Sequence, residues 1–75
     1  MLNTIYKLTE ERNSKEVILV SGSCNFEATL IDQYIDRYDN IDMLEFKHEN
    51  KRLILEHDEI YTYHTMTDGL YIILI

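Results

Sequence analysis

The feature that most constrains this fold lies after residue 41, where short alternating runs of apolar and polar residues are cut by turn-forming clusters. Over 42–48, Leu44 and Phe46 face one way while Glu45 and Lys47 face the other. Glu49-Asn50-Lys51 is a turn, and 52–57 returns with Leu53 and Leu55 inward. His57-Asp58 reads as a second tight turn. A strand over 59–65 follows, with Tyr61 and Tyr63 sharing one face. Thr67-Asp68-Gly69 then introduces a last strand over 70–75, Asp-Gly being a strong hairpin signal. Short turns force antiparallel neighbours. The second half therefore predicts four consecutive strands in a meander.

The first half is less regular. Leu2, Tyr6 and Leu8 at even spacing predict a strand over 3–9, followed by a polar turn over 10–15. Val17 to Val20 is a β-branched run, apolar on both faces, which predicts a central strand over 16–21. After the break at Ser21 to Asn25, Phe26, Leu30, Ile31, Tyr34, Ile35 and Tyr38 recur at spacings of three to four. That spacing predicts a helix running to about Tyr38, with Asn25 as its cap. The expected fold is α+β: a single helix packed on a twisted, mostly antiparallel sheet of five to six strands, in the order ββαββββ. The alternative is a β-grasp-like mixed sheet in which the first and last strands pair in parallel. Seventy-five residues, with no proline and no linker-like stretch, make one domain over 1–75. The uncharged final strand is expected to be central or to pair across a dimer.

Charge narrows the partners. The net charge is −7, and residues 25–46 hold six acids against Arg37 alone, so most of the excess sits in one segment. Phosphate contacts need clustered Lys and Arg, so direct nucleic-acid binding is disfavoured and a basic protein partner favoured. On the expected helix, Asp32, Asp36 and Asp39 fall at i, i+4 and i+7, with Asp42 next, which makes an acidic stripe with a linear charge density near that of a nucleic-acid strand. Tyr61 and Tyr63 add an aromatic patch suited to an interface. These six residues are the candidate partner-binding set.

Chemistry-bearing motifs are few. His48, His57 and His64 lack zinc-site spacing, so no metal and no cofactor are expected. Cys24 precedes the expected helix, where a dipole would favour its thiolate, yet a lone loop cysteine is commonly a small apolar filler. Ser21-Gly22-Ser23 is too short for a phosphate loop and no lysine follows it. No enzymatic activity is expected. One cysteine precludes an internal disulfide, no apolar run reaches membrane-spanning length and no leader pattern opens the chain, so the expected setting is cytoplasmic.

In size, acidity and lack of motifs, the chain resembles the anti-CRISPR and anti-restriction proteins of phages. The resemblance implies a small inhibitor or adaptor, phage or mobile-element encoded. It would occupy the nucleic-acid-binding groove of a basic effector such as a CRISPR or restriction nuclease. The alternative is a structural or assembly module acting as a homodimer through its sheet.

Overall fold

The computed structural model describes residues 1–75. Its class is the expected one, a single helix on a mostly antiparallel sheet of six strands, but the helix stands elsewhere. Helix α1 is Leu2–Glu11, followed by β1 Glu16–Ser21, β2 Cys24–Ile35, β3 Ile41–His48 and β4 Lys51–Glu56. A 3-10 turn at His57–Glu59 leads to β5 Ile60–Met66 and β6 Gly69–Leu74. The segment expected as a strand is thus the helix, and the segment expected as the helix is the longest strand.

Both reversals have local causes. In α1 the buried positions are Leu2, Ile5 and Thr9, a helical repeat that runs alongside the even spacing of Leu2, Tyr6 and Leu8. The helix ends in a Schellman motif. Asn13 is left-handed at φ 53°, its N–H reaches the Glu10 carbonyl at 3.0 Å, and the Ser14 N–H reaches that of Thr9 at 3.1 Å.

In β2, Ala28 and Leu30 are buried and alternate as strand residues should, while Glu27 and Thr29 are exposed. Register shifts then interrupt the ladder between Leu30 and Asp32 and again between Tyr34 and Ile35. The first adds Ile31 to β2 and advances the phase of its alternation, whereas the second adds Asp42 to β3. The one advance in β2, with the apolar pair Tyr34-Ile35 at its end, produces the spacing of Leu30, Ile31, Tyr34 and Ile35, which imitates a helix. Asn25 caps nothing; it lies opposite Val20 in a hairpin whose Gly22 has φ 61°. A positive φ at the first central position is the demand of a type II′ turn, which glycine meets without strain.

The strand order is β4-β3-β2-β1-β6-β5. Strands β1 and β6 are parallel, as in the β-grasp-like alternative, and every other pairing is antiparallel. The uncharged final strand β6 lies between β1 and β5. The expected meander is corrected at one place. Strands β4 and β5 do not pair but form the two opposite edges, and the 57–59 turn joins them.

That connection forces the sheet to curl. Glu56 lies opposite Met43, which lies opposite Tyr34, near one end of β2. Ile60 lies opposite Leu74, one residue beyond the Val20–Ile73 pair and so beside the other end of β2, at Cys24. On a flat sheet these points would be roughly 30 Å apart along the strands and about 24 Å across five strand spacings. Four Cα steps reach no more than about 15 Å. The sheet must therefore coil until its edges meet at the 57–59 turn, and the bulges at Ile31, Asp42 and Tyr61 are where its strands bend.

The coil encloses one core. Leu19, Leu44, Phe46, Leu70 and Ile72 line it from the sheet, and Leu2 and Ile5 enter from α1. Full burial of these two helix residues contributes about 1.5–3 kcal/mol each. The helix is also tied down at its start, where the Asn3 side-chain oxygen accepts from the Ile41 N–H at 2.8 Å. No helix is long and apolar enough to cross a membrane.

Candidate protein-docking face

The outer face of β2, β3 and β4 carries the least expected side chain. On β3, Leu44 and Phe46 point into the core, so Met43, Glu45 and Lys47 point outward. Glu45 is nevertheless only 5% exposed. Its neighbours explain this: Asp32 lies opposite on β2 and Ile54 on β4. The Tyr34 hydroxyl donates a short hydrogen bond to Glu45 Oε1, and Arg52 Nε lies 3.5 Å from Oε2. A buried carboxylate needs such partners, since an unpaired one would be strongly disfavoured. The Tyr34 hydroxyl is in turn held above its ordinary pKa. The hydrogen bond to Glu45 is the main cause, followed by desolvation and by the negative charge beside it.

Exposed apolar side chains are frequent on the β2–β3 hairpin and its neighbour: Ile54 lies opposite Glu45 on β4, Ile31 is the bulge residue of β2, Ile35 ends β2, and Tyr38, 69% exposed, stands in the turn. Arg37 lays its guanidinium over the Tyr38 ring at 4.9 Å.

The expected acidic residues border the same hairpin, though not as a helical stripe. Asp32 is exposed on β2 beside the bulge, and Asp42 is exposed near the start of β3. Asp36 and Asp39 sit in the turn between them, Asp39 left-handed at φ 63°. Asp36 is committed to that turn, because its Oδ1 accepts from the N–H groups of Tyr38 at 2.8 Å and Asn40 at 3.1 Å. Asp32 Oδ1 accepts from the Gln33 N–H at 2.8 Å, and Asp32, Asp39 and Asp42 are all exposed to solvent. The regular helical spacing that would imitate a nucleic-acid strand is absent, because 24–35 is extended.

The tyrosine patch is also corrected. Tyr61 sits at a bulge and is 71% exposed, whereas Tyr63 packs against the core. The bulge breaks the alternation that would have put both rings on one face.

The fold adds acids that the sequence kept apart. Strand β4 runs back toward the β2–β3 tip, so Glu56, Asp58 and Glu59 follow Met43 at the same end of the sheet as Asp42. Their carboxylate oxygens lie within 4.8 Å of one another. Glu56 and Glu59 are engaged in reciprocal capping of the 3-10 turn, with the Glu56 N–H donating to Glu59 Oε1 at 3.0 Å. Counting Glu45, eight of the fourteen acids gather at this end against Arg37 and Arg52, so the field there is strongly negative.

The other singled-out residues lie elsewhere. Cys24 is exposed at the β1–β2 hairpin. His48 packs on the Phe26 ring at 4.7 Å and its Nδ1–H donates to the Glu27 carbonyl at 2.6 Å. An open concavity of about 710 Å³ lies by the β3–β4 turn, lined by Glu16, Phe26, Glu27, Lys47 and His48 among others.

Sequence reasoning missed Ile31, Tyr34, Ile35 and Tyr38 as surface residues because it placed them on the buried side of a helix. Their β-branched and aromatic character was the signal against that placement. Glu45 and Arg52 carried no signal, since their contact depends on the pairing of β3 with β4. No protein-family model, curated protein or solved structure matches this chain.

Proposed function

We propose that this chain is a small acidic binding protein that docks on a basic partner through the outer face and tip of its β2–β3 hairpin. The observation that carries the reading is the presence of exposed Ile31, Ile35 and Tyr38 together with the exposed carboxylates of Asp32, Asp39 and Asp42 on that one hairpin. Charge of one sign steers encounter, and a few aromatic or aliphatic anchors hold the complex. The partner class that best answers such a surface is a nucleic-acid-handling protein with a basic groove. Occupying that groove would make the chain an inhibitor or adaptor of an effector such as a CRISPR or restriction nuclease. Competition needs only the charge and the anchors, not the periodicity of a nucleic-acid strand.

The test begins with a salt-eluted capture from the source organism and continues with the captured protein in purified form. Wild type is expected to displace nucleic acid from it, with an affinity that falls as salt rises. The Asp32→Lys, Asp39→Lys, Asp42→Lys variant is expected to lose that binding, and Tyr38→Ala to speed dissociation while leaving the salt dependence in place. A partner held equally well by the charge-reversed variant rejects the proposal.

A further inference from the structure

Strand β5 forms one edge of the sheet, pairing with β6 on one side only. Its residues, Ile60 to Met66, include no Asp, Glu, Lys, Arg or Pro, in a chain that is 28% charged. The opposite edge, β4, carries Lys51, Arg52 and Glu56. Sheet edges expose unpaired N–H and C=O groups and are ordinarily guarded by charge, proline or a bulge. Here the bulge at Tyr61 distorts only the beginning, and Thr62 to Met66 keep unbroken register with Ile73 to Gly69. His64, Thr65 and Met66 are exposed, so neither the helix nor a loop covers this stretch.

We infer that β5 is a self-association edge, on which two copies pair their β5 strands antiparallel about a two-fold axis at His64. The occupant follows from charge. Copies of a chain with net charge −7 repel through nearly every other surface. An edge without charge offers a charged partner nothing to recognise beyond its main chain. A second neutral strand of equal length meets it without like charges opposed, and the copy's own β5 is such a strand. A two-fold contact uses the same patch on both partners, which a strand edge satisfies because antiparallel pairing is its own mirror in register. His64, the midpoint of the regular stretch, then faces its counterpart, with Thr62 opposite Met66. The pairing leaves both β2–β3 hairpins free, so it stands independently of the docking reading.

Sedimentation equilibrium from 10 to 300 μM tests the inference (concentrations on the order of those at which weak strand pairing registers). Wild type is expected to approach twice the 9.0 kDa protomer mass. The His64→Lys and His64→Glu variants each place like charges opposite one another and are expected to weaken the dimer at least about tenfold. Mixing the two opposes Lys to Glu and restores it, which also shows that both variants are folded. Wild type that stays monomeric throughout overturns the inference, as does a dimer that both single variants retain at full strength.

Discussion

Leu30 and Ile31 are adjacent in sequence and separated by a bulge, so truncating each to alanine tests the reading of β2 directly. Leu30 is 4% exposed in the core, opposite Phe46, whereas Ile31 is 42% exposed on the hairpin. Removing a buried leucine side chain costs about 2–5 kcal/mol, the lost transfer energy plus the cavity. A value near 3 suits a site on the rim of the core. For Ile31 the side chain is about half in water already, and the expected loss is about 0.5–1 kcal/mol. The total for a domain of this size is about 4–11 kcal/mol, so both variants remain folded in water if the wild type lies above the low end. With a urea m-value of about 1 kcal/mol/M, the Leu30→Ala midpoint should fall by about 3 M and the Ile31→Ala midpoint by less than about 1 M. The chain has no tryptophan, so far-UV circular dichroism with tyrosine fluorescence as a second probe is the assay. On an amphipathic helix both residues would face the core and the two losses would be similar. Equal losses would therefore refute the bulged-strand account and the docking face built on it.

The remaining expectations concern caps, turns and titration. Asp36→Ala removes the acceptor for two turn N–H groups and should cost about 1–2 kcal/mol in urea unfolding, while Asp39→Asn, which keeps a residue tolerant of the left-handed backbone and breaks no side-chain bond, should stay within about 0.5 kcal/mol. Asn13→Gly relieves a left-handed residue at the end of α1 and should raise the thermal midpoint by a few degrees, about 0.5 kcal/mol. Tyr6, Tyr34 and Tyr71 are each held above the ordinary tyrosine pKa, chiefly by hydrogen bonds to Glu10, Glu45 and Asp68. A folded-state pKa raised above the unfolded value contributes stability that is present below about pH 10 and lost as pH rises through the folded values. Ultraviolet titration should therefore show an alkaline group of tyrosines that ionises as the fold is lost, with Tyr34→Phe removing one member of it. Glu10 has the opposite sign. The bonds from Tyr6 and Lys15 lower its pKa, so its contribution is present above the ordinary carboxylate range and fades as pH falls through the lowered value.

How much could be read from the chain depended on whether the information was local. The β1 boundaries are those of the apolar run at 16–21, and the four later strands begin and end within a residue or two of the turn residues that delimit them. Those features are written in adjacent residues. The segments on either side of β1 misled for two different reasons. In α1 the helical set of Leu2, Ile5 and Thr9 overlaps an even-spaced set, and a short segment cannot separate the two periods. In β2 the strand signal is correct up to Leu30 and is then rephased by the bulge at Ile31, which only the pairing with β3 reveals. The candidate site inherited that error. Asp32, Asp36, Asp39 and Asp42 do share one hairpin, but their number and sign were readable while their geometry was not.

The least local feature has the widest consequence. His57-Asp58 looks like a tight turn that should fold β5 back on β4, and nothing within the turn argues otherwise. What prevents it is the parallel pairing of β1 with β6, between segments about 50 residues apart in the chain. That pairing commits β6, and with it the hairpin partner β5, to the far side of β1. Strand β4 is then left at one edge and β5 at the other. A three-residue connection between them can close only if the sheet curls, and the curl brings the start of β5 to the end where the β3–β4 hairpin has already set Glu56 beside Asp36, Asp39 and Asp42. The same commitment leaves the uncharged β5 without a second neighbour. The unguarded edge is thus the result of one long-range choice of strand order, and a sequence pattern confined to neighbouring residues does not contain it.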